Sequence, residues 1–231
     1  VEAEKLYLML TGNLEPNFNK LEIFIDSKSG GQNQIIANQN PNNDNWAAKF
    51  DGFTFDSGFS ADYLLIVRHG FNGTQLDLDF AELGEQGKGS LVGRFDPPSL
   101  GKTGPFEASN GLMIGFNNTN SAGIGSNQGQ LANQKNAALV MTGSELAIPL
   151  NVIGAPKGEI KICVMINGQG HDYLSNQFLG PMPEGTRNLG TNGQGDFVQD
   201  SSLEEVDLND YEGDQFFVIP SPEAPLQVLD F

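Results

Sequence analysis

The chain has 231 residues, a formal net charge of −17 and a pI of about 4.2. Acidity on this scale excludes nucleic acid and anionic membrane surfaces as partners, because like charges repel, and it suits hard cations such as calcium. No apolar run approaches the ~20 residues that span a bilayer, so membrane insertion is not expected.

Leu6-Tyr7-Leu8-Met9-Leu10 reads as a short apolar strand, Thr11 to Asn17 as a turn, and Leu21 to Asp26 as the returning strand of a hairpin. Residues 32–45 are mostly Asn and Gln broken by Ile35 and Ile36, the composition of a long polar loop. Phe50, Phe53, Phe55 and Phe59 follow among Gly and Asp. Ala61 to Arg68 is apolar enough for a central strand. Gln75 to Phe80 alternates Leu with Asp and predicts a strand with one wet face. Ser90 to Phe95 is a weaker strand, Asp96 to Pro105 has the Pro and Gly content of a turn region, and Gly111 to Phe116 is again a strand.

A second polar loop spans 117–136, and Ala137 to Thr142 leads into Gly143 to Pro149. Leu150 to Gly154 predicts one helical turn ended by its glycine. The Pro156-Lys157-Gly158 turn feeds the strongest strand, Glu159 to Asn167, and 168–196 reads as loop. No Lys or Arg follows Arg187, and Asp200 to Asp214 carries seven carboxylates, the composition of a solvated run. Gln215 to Pro220 reads as the last strand and Ser221 to Pro225 as a stiff linker.

Nine to eleven short strands without βαβ alternation predict an all-β fold. The expected architecture is a two-sheet antiparallel β-sandwich of jelly-roll or immunoglobulin-like topology, with long polar loops. Residues 1–220 are expected to form one domain and 221–231 an extended tail. Phe, with 16 copies against one Trp, has no polar handle and belongs in the core. Cys163 is the lone cysteine, so no intrachain disulfide is available, and its place in an apolar run predicts a buried, inert thiol. The opening Val1-Glu2-Ala3-Glu4 predicts a processed terminus, hence a secreted or cell-surface protein whose signal peptide has been removed.

The segments Leu6 to Glu15 and Lys20 to Asp26 resemble the central hairpin of DOMON-like sandwiches, relatives of the family 9 carbohydrate-binding modules. Phe55 to Tyr63, Glu145 to Leu150, Ile166 to Gln177 and Gly213 to Phe217 resemble a subgroup of secreted bacterial proteins with a PEP-type C-terminal sorting signal. The resemblance implies a β-sandwich and a binding role, since DOMON-like branches bind sugars, haem or metal. No haem or nucleotide is expected here: two His and five Met mark no ligand pair by spacing.

Four constellations carry chemistry. Asp26, at a strand end before Ser27-Lys28-Ser29-Gly30-Gly31, has the oxygen chemistry of a calcium ligand or of a turn cap. Asp51, Asp56 and Asp62 are spaced to converge at one sheet edge, where three carboxylates repel unless a cation intervenes. His171, Asp172, Tyr173 and Asn176 gather on the loop after the strongest strand, where sandwiches place binding groups. A His171 general base lacks a nucleophile signature, and its neighbour Asp172 points the opposite way along an extended segment. The fourth is the acidic run from Asp200, a candidate for calcium-dependent ordering. Asn72-Gly73-Thr74 and Asn117-Asn118-Thr119 are glycosylation sequons.

The expected function is a non-catalytic binding module for an extracellular glycan, supported by calcium, with Trp46, Tyr63 and Tyr173 as its aromatic platform. The alternative is a structural protein of a cell surface or matrix, whose partners are copies of itself. A polysaccharide hydrolase or lyase ranks third, because no two of the many acids stand out as a pair.

Overall fold

A computed structural model describes residues 1–2, 4–12, 14–97, 101–119, 140–180, 182–198 and 202–221. Among the described residues, ten strands form two antiparallel sheets. They are β1 (Lys5–Thr11), β2 (Lys20–Asp26), β3 (Tyr63–Gly70), β4 (Gln75–Glu82), β5 (Gly89–Phe95), β6 (Lys102–Glu107), β7 (Met113–Asn117), β8 (Gly143–Pro149), β9 (Ile160–Asn167) and β10 (Phe217–Ile219). The four-stranded sheet has the order β1-β8-β7-β6, and the six-stranded sheet β10-β9-β2-β3-β4-β5. The expected all-β sandwich is what the chain forms.

Strand alternation builds the core. Leu21, Ile23 and Ile25 of β2 and Leu65 and Val67 of β3 face the four-stranded sheet, where they meet Leu6, Leu8, Leu146 and Ile148. Phe24, Leu64, Ile66, Cys163 and Met165 face the other way into a second core. That core is closed by two long excursions. Residues 32–61, which include a short α-helix, α1 (Trp46–Lys49), bring Ile35, Trp46, Phe50, Phe53, Phe55 and Phe59. Residues 174–216 bring Leu174, Leu189, Leu203, Val206 and Leu208. The six-stranded sheet is therefore covered on both faces.

The four loop phenylalanines and Phe24 pack ring against ring, with centroids 4.9 Å apart for Phe24–Phe55, 5.2 Å for Phe50–Phe53 and 5.0 Å for Phe53–Phe55. One polar side chain ties the excursion down: the Asn33 amide lies 3.1, 2.9 and 2.8 Å from the carbonyls of Phe55, Asp56 and Phe59.

Four expectations are corrected. Strands β1 and β2 are not a hairpin. Each belongs to a different sheet, β1 pairing with β8 and β2 with β3 and β9. The segment between them passes from one sheet to the other, and local turn composition does not distinguish such a crossing from a hairpin. Strand β4 has no wet face, because Asp77 and Asp79 are buried, Asp77 gripped by Arg94 and Asp79 paired with Arg68 beneath Asn43. The Pro-rich stretch ends in a strand: Pro105 lies in β6, an edge strand, within a register shift between Thr103 and Phe106, where a missing N–H is tolerated. The acidic run is not simply solvated. Its described part, 202–214, buries Leu203, Val206 and Leu208 while its carboxylates face outward. It is fastened by Leu203 N–H to the Lys49 carbonyl at 2.6 Å and by a two-way pairing with Thr54. Asp200 and the tail from Pro222 lie outside the described residues, as does most of the second polar loop.

The helical turn at Leu150–Ile153 forms as expected, with Gly154 in the left-handed region at φ 82°. Phe24→Ala is expected to destabilise the protein by about 3–5 kcal/mol in urea unfolding, because the fully buried ring packs against three other aromatic side chains, Trp46, Phe50 and Phe55.

Candidate functional site

The residues expected to form the site resolve mainly into structural roles. Trp46 and Tyr63, both buried, sit in different cores on opposite faces of the six-stranded sheet, so they share no platform with each other. Tyr173 alone of the three is exposed, stacked on Phe197 with centroids 4.5 Å apart. Asn176 staples its own loop, donating from Nδ2 to the Thr186 carbonyl at 2.8 Å. Asp172 pairs with Lys49 at 3.1 Å.

The four acids named as metal ligands each accept from the backbone. Asp26 takes Ser60 N–H at 3.1 Å and Asp51 takes Ala37 N–H at 2.8 Å. Asp62 takes Ser27 and Lys28 N–H at 2.8 and 2.9 Å through one oxygen. Asp56 takes Gln215 N–H at 2.6 Å. Burial pushes the Asp56 and Asp62 carboxyls above the usual range, against the pull of these N–H donors. Among the described residues, no three His, Cys, Asp or Glu side chains gather in a metal-binding group, so Asp51, Asp56 and Asp62 do not converge. Cys163 is buried on β9, and burial raises its thiol well above the ordinary value.

His171 anchors a buried ionic cluster at one end of the outer face of the six-stranded sheet. The sheet register lays out its base: Asn167, Lys20, Arg68, Asp77 and Arg94 stand opposite one another across β9, β2, β3, β4 and β5. Glu22 and Asp79 belong to the next row. From above, Asp44 accepts from Lys20 at 2.9 Å, Arg68 at 2.8 Å and His171 at 3.1 Å. His171 Nδ1 faces Glu22 at 2.5 Å. Arg68 also pairs with Asp79, and Arg94 grips Asp77 through Nε at 2.8 Å and Nη2 at 2.9 Å.

Burial disfavours a charge on His171, but its hydrogen bonds to Asp44 and Glu22 outweigh that and raise its pKa. Burial likewise opposes charge on Asp44, and the bonds from His171 and Lys20 win, holding it down to about 2. With a ring only 1 % exposed, His171 has no room for a substrate and acts as a bridge between strand and loop.

An open concavity lies elsewhere, on the outer face of the four-stranded sheet. It is a groove of about 650 Å³. Its shape follows from register. Tyr7, Ala147 and Met113 lie opposite one another, as do Met9, Glu145 and Gly115, and then Thr11, Gly143 and Asn117. The middle strands β8 and β7 thus contribute Gly143, Ala147 and Gly115, while the edge strand β1 raises Tyr7 and Met9 and the opposite edge raises Pro105. Small residues alternate with Met113, Glu145 and Asn117 across the floor, and Tyr7, Met9 and Pro105 rise at the edges. Tyr7 is 55 % exposed and Met9 69 %. Glu145 is the one carboxylate in the lining. A Cβ on Gly115 would meet nothing closer than 3.9 Å, so no packing demand put glycine there.

Tyr7, Met9 and Gly115 were not singled out from sequence. The available signal was that β1 is apolar at outward positions as well as inward ones, yet only the pairing register shows which small residues lie beside them. Comparison of the chain with protein-family models, curated proteins and solved structures finds no match.

Lys20→Met is expected to cost about 3–5 kcal/mol, because it leaves the Asp44 carboxylate half-buried with one cation fewer. Since the folded pKa of Asp44 is depressed, its contribution is fully present above the unfolded value and lost as pH falls through about 2. Asp44→Asn is expected to flatten that part of the acid-unfolding curve, read by circular dichroism.

Proposed function

We propose that this protein is a non-catalytic, extracellular binding module that takes a glycan in the groove of the four-stranded sheet. The observation that carries the reading is the exposed Tyr7 ring at the rim of a groove in which Gly115, Gly143 and Ala147 alternate with Met113, Glu145 and Asn117 as far as Pro105. An open aromatic face for sugar C–H groups, next to hydroxyl, amide and carboxylate groups on Thr11, Thr103, Asn117 and Glu145, suits a polyol chain. The resemblance to DOMON-like and family 9 carbohydrate-binding sandwiches supports the same class. A single carboxylate in the lining favours binding over hydrolysis, which needs two.

Affinity gel electrophoresis against a panel of soluble polysaccharides tests this. Wild-type protein is expected to be retarded by at least one of them. Tyr7→Ala and Gly115→Val are each expected to weaken that binding about tenfold or more, which corresponds to about 1.4 kcal/mol, with melting temperatures close to wild type. Gly115→Val fills the groove at a position where a side chain fits the backbone. No retardation by any member, or unchanged retardation in both variants, overturns the reading.

Calcium support is part of the proposal and has its own readout. A calcium-loaded site is expected to raise the melting midpoint in millimolar calcium relative to EDTA by mass action. An unchanged midpoint removes calcium from the proposal. The alternative of self-association draws on edge strand β1 with its exposed Tyr7 and Met9, and concentration-dependent sizing of wild type and Tyr7→Ala discriminates it.

A further inference from the structure

The segment that lies over the charged end of the six-stranded sheet is held there against its own backbone preferences. Asp44 and Asn45 have φ of 54° and 63°, and His171, which reaches them from the loop after β9, has φ of 63°. Non-glycine residues adopt this left-handed backbone at a cost and keep it only where their surroundings impose it. Asn43 Oδ1, Trp46 Nε1 and Arg68 Nε are also buried without a hydrogen-bond partner among the described residues. What fastens the segment is ionic. The Asp44 carboxylate takes Lys20, Arg68 and His171, and the Asp44 carbonyl takes His171 Nε2 at 3.0 Å.

The imidazole is the piece that changes with pH. Both of its nitrogens face acceptors: Nδ1 faces Glu22 on β2, and Nε2 faces Asp44 on the segment. An imidazolium donates to both, whereas a neutral ring donates to one and turns a lone pair on the other. The charges around it balance only in the protonated state. Glu22, Asp44, Asp77 and Asp79 stand against Lys20, Arg68, Arg94 and His171, while the neighbouring Asp172 is taken by Lys49 from α1. Loss of the proton to solvent leaves one uncompensated negative charge in a buried cluster, next to two consecutive residues held in the left-handed region, Asp44 and Asn45.

We propose that His171 is a pH-sensitive latch, locking residues 42–50 and the Trp46 ring onto the sheet when protonated and releasing them when neutral. Its pKa is raised by Asp44 and Glu22 against the opposing effect of burial. The latch is therefore fully closed below the unfolded histidine value of about 6.5 and weakens as pH rises through the folded one.

The chain supplies two internal probes. Trp46 is its only tryptophan and is fully buried. His69 is the only other histidine, buried with no carboxylate partner and its Nδ1 3.4 Å from the Leu14 carbonyl. The experiment follows acrylamide quenching of Trp46, amide hydrogen exchange and the NMR titration of both histidines in the full chain, from about pH 5 to about pH 9. His171 is expected to titrate above the usual value, and access to Trp46 is expected to rise with the same midpoint. Amide protection across 43–50 is expected to be flat below about 6.5. Above it, protection falls by up to about tenfold per pH unit until His171 has lost its proton. His171→Gln, which keeps a donor without the charge, is expected to abolish both pH dependences. Unchanged quenching and protection in wild-type protein across the measured His171 midpoint overturns the proposal. That arm needs no variant, so misfolding of His171→Gln leaves it decisive. The groove on the other sheet plays no part in these readouts.

Discussion

Strand β2 runs through the middle of the six-stranded sheet with packed layers on both sides, and no residue from Lys20 to Ile25 reaches solvent. Every side chain on its outer face must therefore be apolar or have its charge answered. Phe24 meets the first condition by joining the aromatic layer. Lys20 and Glu22 meet the second, and the rest of that end of the molecule is arranged around them. Arg68 stands alongside on β3, Asp44 descends from the 41–45 segment, and His171 folds in from the loop after β9. Buried ions of this kind add little net stability compared with apolar residues, but removing one partner is expensive. The loops are accordingly tied to one arrangement by the cost of leaving it.

The two sheets carry different duties. Because two excursions cover the six-stranded sheet, its loop residues are spent on closure, and the polar groups there act as fasteners. Asn33 holds the phenylalanine excursion, Asp62 caps the turn after β2, and Asp56 receives the backbone leading into β10. Among the described residues, the outer face of the four-stranded sheet carries the exposed Tyr7 and Met9 beside small residues. The open groove and the internal fastening system thus lie on opposite sides of the shared core.

Alternating apolar patterns located nearly every strand, including β9 and the short β10, and the Gly154 helix stop was readable from one residue. The four phenylalanines from Phe50 to Phe59 were readable as core by chemistry alone. Asp77 and Asp79 were not readable as buried, because a Leu-Asp alternation looks the same whether the Asp face meets water or arginines. The same ambiguity affected His171 and Asp172. Polar residues clustered on a loop mark a ligand site or an internal staple equally well, and the choice depends on what lies opposite. Trp46 looked like a platform because it sits in a polar stretch, yet its ring points into a core that the stretch itself closes.

What the sequence by itself determined is most of the strands, the edge strand β6 excepted, the all-β class and the apolar identity of the strand-borne core and the phenylalanine layer, since these depend on periodicity and side-chain chemistry within a few residues. Which sheet each strand joined was decided only in three dimensions, as the separation of β1 from β2 illustrates. So were the charge row from Asn167 to Arg94 and the groove floor that includes Gly115, Gly143 and Ala147. Each of these joins residues that are neighbours only through pairing register, and register is set by the simultaneous burial of distant segments rather than by any one stretch of the chain.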